Sequence, residues 1–213
     1  MEPDWLVWAR RIQALAQSGL AFTRDVYDRE RYEDLRLLAA EMMAARSGGD
    51  PVRIEALFAE QSGYATPKVD VRGAVFDHAG RILLVREMAD GGRWTLPGGW
   101  ADVNQSPSEC VAREVLEEAG IEVRVRKLAC VYDRARHPHQ PPYPFHIYKM
   151  FFICDAVSAT DHARGDGHET SAATFFAQED VPEAELSISR VLPFQIARLF
   201  QHSRDLGLPT DFD

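Results

Sequence analysis

The chain has 213 residues, of which 46% are hydrophobic and 27% charged, and its formal net charge is -9. That is enough apolar material for one generous domain, or for a catalytic domain with a small partner, and it excludes wholesale disorder. The acidic balance offers no overall attraction to DNA or an anionic membrane and argues against RNA, although a metal ion can still bring in a small phosphorylated ligand.

No apolar stretch approaches the roughly 20 residues that a membrane helix needs. The segment Met1-Glu2-Pro3-Asp4-Trp5 is acidic and lacks a basic region followed by an apolar run, so no secretory signal is expected. Cys110, Cys130 and Cys154 are odd in number and form no CxxC pair. A structural zinc site or disulfide framework is therefore not expected, and a reducing cytoplasm suits the chain better.

Residues 1–64 read as helical. Trp5, Leu6, Trp8, Ala9, Ile12, Leu15 and Ala16 fall at helical spacing, with Gly19 expected to end the helix. A second helix is predicted over residues 29–46, with Tyr32, Leu35, Leu38, Ala39 and Met42 as its apolar stripe and Ser47-Gly48-Gly49 as its stop. A third starts at Asp50-Pro51, an N-cap followed by proline at the first helical position, and is expected to run to near Gly63. Near Tyr64-Ala65-Thr66-Pro67, where proline resists helix, the period changes, giving domains of residues 1–64 and 65–213. Strands are predicted over residues 69–76, 81–85, 123–132, 146–154 and 172–176, and a closing helix over 192–202. The whole reads as a small all-α domain followed by a mixed α/β domain.

The informative stretch is Leu96 to Ile121. Ser106 with Glu109 three residues later makes a capping box, Pro107 takes the first helical position, and Gly120 sits where the helix should end. A helix from Pro107 to Ala119 follows. On it Glu114, Glu117 and Glu118 are spaced i, i+3 and i+4, so they neighbour one another on one face. Three carboxylates held this close repel without a cation and suit a hard, oxygen-seeking ion such as magnesium. Arg113 adds a positive charge beside them, and Gly98-Gly99 lets the backbone approach a ligand and turn sharply into the helix.

This stretch resembles the Nudix box, in which a glycine and, six residues later, a glutamate precede Arg-Glu-apolar-x-Glu-Glu-x-Gly-apolar. Gly99, Arg113, Glu114, Val115, Glu117, Glu118, Gly120 and Ile121 match at the family's spacing. Gln105 stands where the family usually has glutamate, keeping an oxygen acceptor but losing the charge; Asp102 is close enough in sequence to compensate. The resemblance implies a Nudix α/β/α sandwich with a mixed sheet and a hydrolase that cleaves a pyrophosphate bond with magnesium, or with manganese in its place. It assigns Glu114, Glu117 and Glu118 to the metal and Glu117, Glu118 and Arg113 to catalysis. A later loop, Gly165-Asp166-Gly167-His168-Glu169-Thr170, offers Glu169 as the base that activates water. Gly98, Gly99, Trp100, Arg72 and Arg134 are the substrate-binding candidates, with His137, His139 and His146 read as loop residues rather than a zinc site.

The stretches Tyr27–Tyr32, Gly63–Arg72 and Trp94–Asp102 narrow the resemblance to bacterial Nudix hydrolases with an N-terminal helical domain. That group acts on nucleoside diphosphates linked to another moiety, of ADP-ribose or CDP-choline type, and is commonly a homodimer. Trp5, Trp8, Phe22, Tyr27, Tyr32 and Phe58 are more aromatic surface than three small helices hide, which suits such an interface. Two rival readings remain: a nucleotide sensor that does not cleave, and a hydrolase of RNA ends or modified nucleoside triphosphates.

Overall fold

The structure is a computed structural model and describes residues 2–157 and 160–213, apart from the Asp161 side chain. The described chain opens with helices α1 (Asp4–Phe22), α2 (Val26–Ser47) and α3 (Pro51–Ala59). The starts of α2 and α3 follow from local devices. Asp25 accepts from the backbone N–H of Asp28 to begin α2, and Asp50 accepts from that of Val52 ahead of Pro51. Gly48 ends α2 in the left-handed conformation that glycine adopts at no steric cost.

Gly19 does not end α1, which continues to Phe22. A Cβ on Gly19 would lie 2.3 Å from the Tyr32 ring, so the glycine serves the close approach of α1 to α2 rather than a stop. Helix α3 is shorter than expected: it ends at Ala59, just after Phe58, its one fully buried side chain, and the residues beyond have little apolar surface to hide. Leu6, Ala9, Ala39, Ala40, Met43 and Phe58 make the core of these helices.

The compact unit they form is Met1–Lys68 with Pro142–His146, so its edge falls four residues beyond the expected boundary and a distant segment joins it. Two contacts explain the join. Lys68 N–H donates to the His146 carbonyl at 3.0 Å, and Phe145 packs edge-on against Phe58 at 5.9 Å between centroids.

The second unit, Val69–Pro141 with Ile147–Asp213, holds the sheet. Its strands are β1 (Lys68–Phe76), β2 (Ile82–Glu87), β3 (Arg93–Thr95), β4 (Val123–Asp133), β5 (Ile147–Ala156), β6 (Thr170–Phe176) and β7 (Asp211–Phe212). The order is β3-β2-β1-β5-β4-β7, with β6 also paired to β2. β1 with β2, β2 with β3 and β6, and β4 with β5 pair antiparallel, while β4 and β7 run parallel, so the sheet is mixed. Helix α4 (Pro107–Ala119) covers one face and α5 (Pro193–Arg204) the other.

Alternation along the strands sorts the two faces. In β2, Leu83 and Val85 join Val111 and Val115 of α4, whereas Ile82 and Leu84 join Leu199 and Phe200 of α5. With both faces covered, Ile82–Val85 of β2 reads in sequence as a continuous apolar run. The expected three-layer α/β/α arrangement is present. The two shortest strands, β3 and β7, were not foreseen.

Candidate active site

Helix α4 forms as its local signals dictate. Ser106 Oγ accepts from Glu109 N–H, Glu109 reaches back to Ser106 N–H, and Gly120 closes the helix at φ 68°. Two glycines then bring the helix to its place. A Cβ on Gly73 of β1 would lie 2.7 Å from Val115, so only glycine admits α4 this close to the sheet. Gly98 has φ 139°, and a Cβ there would lie 2.1 Å from the Val71 carbonyl oxygen. Residues 97–101 run alongside β1, with Gly73 N–H donating to Pro97 O, Val71 N–H to Gly99 O, and Ala101 N–H to Val69 O.

The glycine loop and the acidic face of α4 therefore meet. Gly98 N–H donates to Glu118 Oε2 at 3.1 Å, and Gly99 lies against the Glu114 carboxylate. Glu118 is buried, Glu114 partly so, and Glu117 is exposed. Burial pushes the Glu118 carboxyl up to about 8, with the charges of Glu114 and Glu87 adding to the effect and Arg72 and the Gly98 N–H opposing it. Burial likewise raises Glu114, against the pull of Arg113.

Arg113 gathers the rest of the box. Its guanidinium donates to Glu117 at 2.6 Å, Asp102 at 2.8 Å, Glu114 at 2.9 Å and Gln105 Oε1 at 3.2 Å. Gln105 thus fills the position of the missing glutamate as a neutral acceptor, and Asp102 supplies the charge. The donor set suits a hard divalent cation: carboxylates beside a backbone turn, whose burial and mutual repulsion a cation would relieve. Glu117 is turned onto Arg113 in this arrangement.

Arg72 lies under the site, buried and paired through two hydrogen bonds with Asp70 at 2.7 and 3.0 Å; it also donates to the Leu96 carbonyl. Lys149 of β5 reaches the same Asp70 at 2.6 Å. Burial opposes ionisation of Asp70, but the two cations outweigh it and hold the carboxyl well below the usual range. Burial pushes the Lys149 ammonium down to about 8 despite Asp70. The positive field of Arg72 acts on both Glu114 and Glu118.

Glu169 is exposed in a turn built on Asp166, whose carboxylate accepts the N–H groups of His168, Glu169 and Thr170. The neighbouring Thr170 Oγ1 donates to the Glu118 carbonyl at 2.7 Å, which ties this turn to the end of α4. Trp100 is half exposed, in an isolated bridge with Asp70. Arg134 is not gathered into this group: it is buried and donates to the carbonyls of Ser189 and Pro141, where it ties two loops together. Glu87, buried on β2 opposite Thr170, was missed because a single glutamate ending an apolar strand carries no spacing signal.

Among the described residues, one trio has metal-ligating atoms all within 4.8 Å of one another, Cys130, His202 and Asp211. Its Asp211 already carries the bidentate Arg198 guanidinium, and burial pushes the Cys130 thiol up to about 11. These groups pin β7 to β4 and α5. Among the described residues, no helix is long and apolar enough to cross a membrane.

Comparison with known proteins agrees with this geometry. Residues 66–194 match the NUDIX domain, and residues 3–58 match a UDP-X-like, N-terminal oligomerisation domain. The chain is 46% identical to the Bacillus subtilis (strain 168) protein YjhB, provisionally named an ADP-ribose pyrophosphatase, over all of this chain and 99% of that one. It is similar to the crystal structure of a UDP-X diphosphatase, with a TM-score of 0.60 and 32% identity over 99% of this chain and 98% of that one. An ADP-ribose pyrophosphatase from Streptococcus suis gives a TM-score of 0.60 at 34% identity, covering 70% of this chain and all of that one. Enzymes of this kind generally need divalent cations, and this protein belongs to the Nudix hydrolase family.

Proposed function

We propose that the protein hydrolyses the diphosphate bridge of a nucleoside diphosphate linked to another moiety, of ADP-ribose, CDP-choline or UDP-X type. The observation that carries this reading is the convergence of Glu114, Glu118 and the Gly98-Gly99 turn, with Arg113 and Arg72 flanking the carboxylates. Glu114, Glu117 and Glu118 would hold a divalent ion, magnesium or alternatively manganese, which would supply charge neutralisation to the diphosphate and lower the pKa of the attacking water. Arg113 orients Glu117 and Glu114 through its fork of hydrogen bonds. Glu169, on the turn tied to α4, accepts the proton of the water as its oxygen bonds to phosphorus. The bridging P–O bond breaks, giving a nucleoside monophosphate and phosphorylated X. Gly98 and Gly99 admit the diphosphate close to the backbone, Trp100 offers a face to the base, and Arg72 adds positive field beneath.

The oligomerisation domain works here as a homodimer interface. Trp8, Leu15 and Phe22 are 58%, 59% and 69% exposed and recur every seven residues, so they form one stripe along α1. Charged replacement of Trp8 and Phe22 should give a monomer by light scattering. Three free, buried cysteines fit a reducing cytoplasm.

The test is incubation with magnesium and ADP-ribose, CDP-choline, UDP-sugars, dinucleoside polyphosphates, modified triphosphates and short RNA, with products identified by mass. Release of a nucleoside monophosphate from a diphosphate-linked substrate is expected. Turnover of none would make the protein a sensor, and preferred cleavage of RNA or triphosphates would overturn the substrate class.

A further inference from the structure

The N-terminal unit holds a cavity of about 350 Å³ lined by its own residues. Arg10, Gln13, Ala14 and Gln17 of α1 line it. These positions share one helix face, as the spacing i, i+3, i+4, i+7 requires. At 100° per residue that face lies about 140° around α1 from the Trp8, Leu15, Phe22 stripe, so an interface on the stripe leaves the cavity open.

The hydrogen bonds fix which way the amides point. Gln17 Nε2 donates to the carbonyls of Ser62 and Gly63, so the other end of that amide is its oxygen. That oxygen accepts from Gln13 Nε2 at 2.9 Å, which leaves Gln13 Oε1 as an acceptor with no donor among the described residues. Gln13 as a residue is only 5% exposed and lines the cavity. Across the same cavity Lys68 Nζ donates to Gln61 Oε1 at 3.1 Å, so the Gln61 amide offers its N–H groups. Lys68 has no carboxylate partner among the described residues; its ammonium sits 5.0 Å above the Phe145 ring. Tyr64 and Phe145 bring aromatic faces to the lining.

An acceptor, an amide donor, the Tyr64 ring and the Lys68 ammonium in a cavity of this size suit a ligand that carries a flat polar base and an anionic group. We infer that the N-terminal unit binds a nucleoside 5′-monophosphate, its base edge meeting Gln13 and Gln61 and its phosphate meeting Lys68. The inference concerns binding alone and stands whether or not the hydrolytic reading holds.

The experiment uses the full-length protein in EDTA, titrated calorimetrically with 5′-UMP, 5′-AMP, uridine and ribose 5-phosphate. At least one monophosphate should bind. Gln61→Ala and Lys68→Met, both at accessible positions, should each weaken it about tenfold. The side-chain amide signals of Gln61 should shift on binding in ¹⁵N spectra. Gln13→Glu should weaken binding too; if that buried variant fails to fold, the two accessible variants decide. Ribose 5-phosphate binding as tightly as the nucleotides would reduce the cavity to an anion site and overturn the base assignment. Absence of binding, unchanged affinity in both accessible variants, or loss in Trp100→Ala alone would overturn the inference.

Discussion

Glu118 should destabilise the metal-free protein that depends on it for catalysis, and Glu118→Gln exposes this. Its carboxyl moves from an ordinary 4.5 to about 8 on folding. A carboxyl raised in the folded state contributes stability that is fully present below pH 4.5 and is lost as pH rises towards 8. The loss is roughly 4 kcal/mol at pH 8, where the buried group is half ionised. Glutamine keeps an oxygen to accept the Gly98 N–H but never ionises, so its stability should not follow this term. Subtracting one protein from the other cancels the titration of Lys149 and every other shared group. Urea unfolding in EDTA from pH 4.5 to 8.5 should show the two proteins alike at the acid end. The variant should gain by several kcal/mol near pH 8, even as its turnover falls by orders of magnitude. Magnesium should narrow the gap by supplying the missing counter-charge to the wild type. A difference that is flat with pH, or a variant weaker than wild type at pH 8, would refute the burial argument.

Three further outcomes follow from particular contacts. Asp70→Asn leaves Arg72 and Lys149 buried without their shared counter-charge and should lower stability by about 3–5 kcal/mol in chemical denaturation. Gly19→Ala should destabilise the helical unit by about 1–3 kcal/mol despite alanine's better helix propensity, because its Cβ meets the Tyr32 ring; adding Tyr32→Ala should recover much of that loss in the thermal melt. Gln105→Glu places a carboxylate against Arg113 and should leave magnesium affinity of the resting protein unchanged or tighter by calorimetry, whereas a tenfold weakening would give the glutamine a role of its own.

The sequence by itself determined what local interactions decide. Helix α4 starts and stops where its capping box, Pro107 and Gly120 place it, because each device acts within a turn of the chain. The same locality puts Glu114, Glu117 and Glu118 on one face and brings Gln105 within reach of Arg113. Apolar residues marked β1, β2, β4 and β5, continuous in β2 and β5 and interspersed with charged residues in β1 and β4. Tertiary structure decided the rest, since the partners lie far apart in the chain. Strands β3 and β7 are too short to show a period and exist through pairing with β2 and β4. Gly19 carries the signature of a helix stop, but Tyr32, thirteen residues on, gives it another use. Arg134 had the chemistry of a phosphate ligand until folding brought the Ser189 and Pro141 carbonyls to it. Asp70 and Lys149 are 79 residues apart, and only the adjacency of β1 and β5 makes them a buried pair that sets the field beneath the carboxylates.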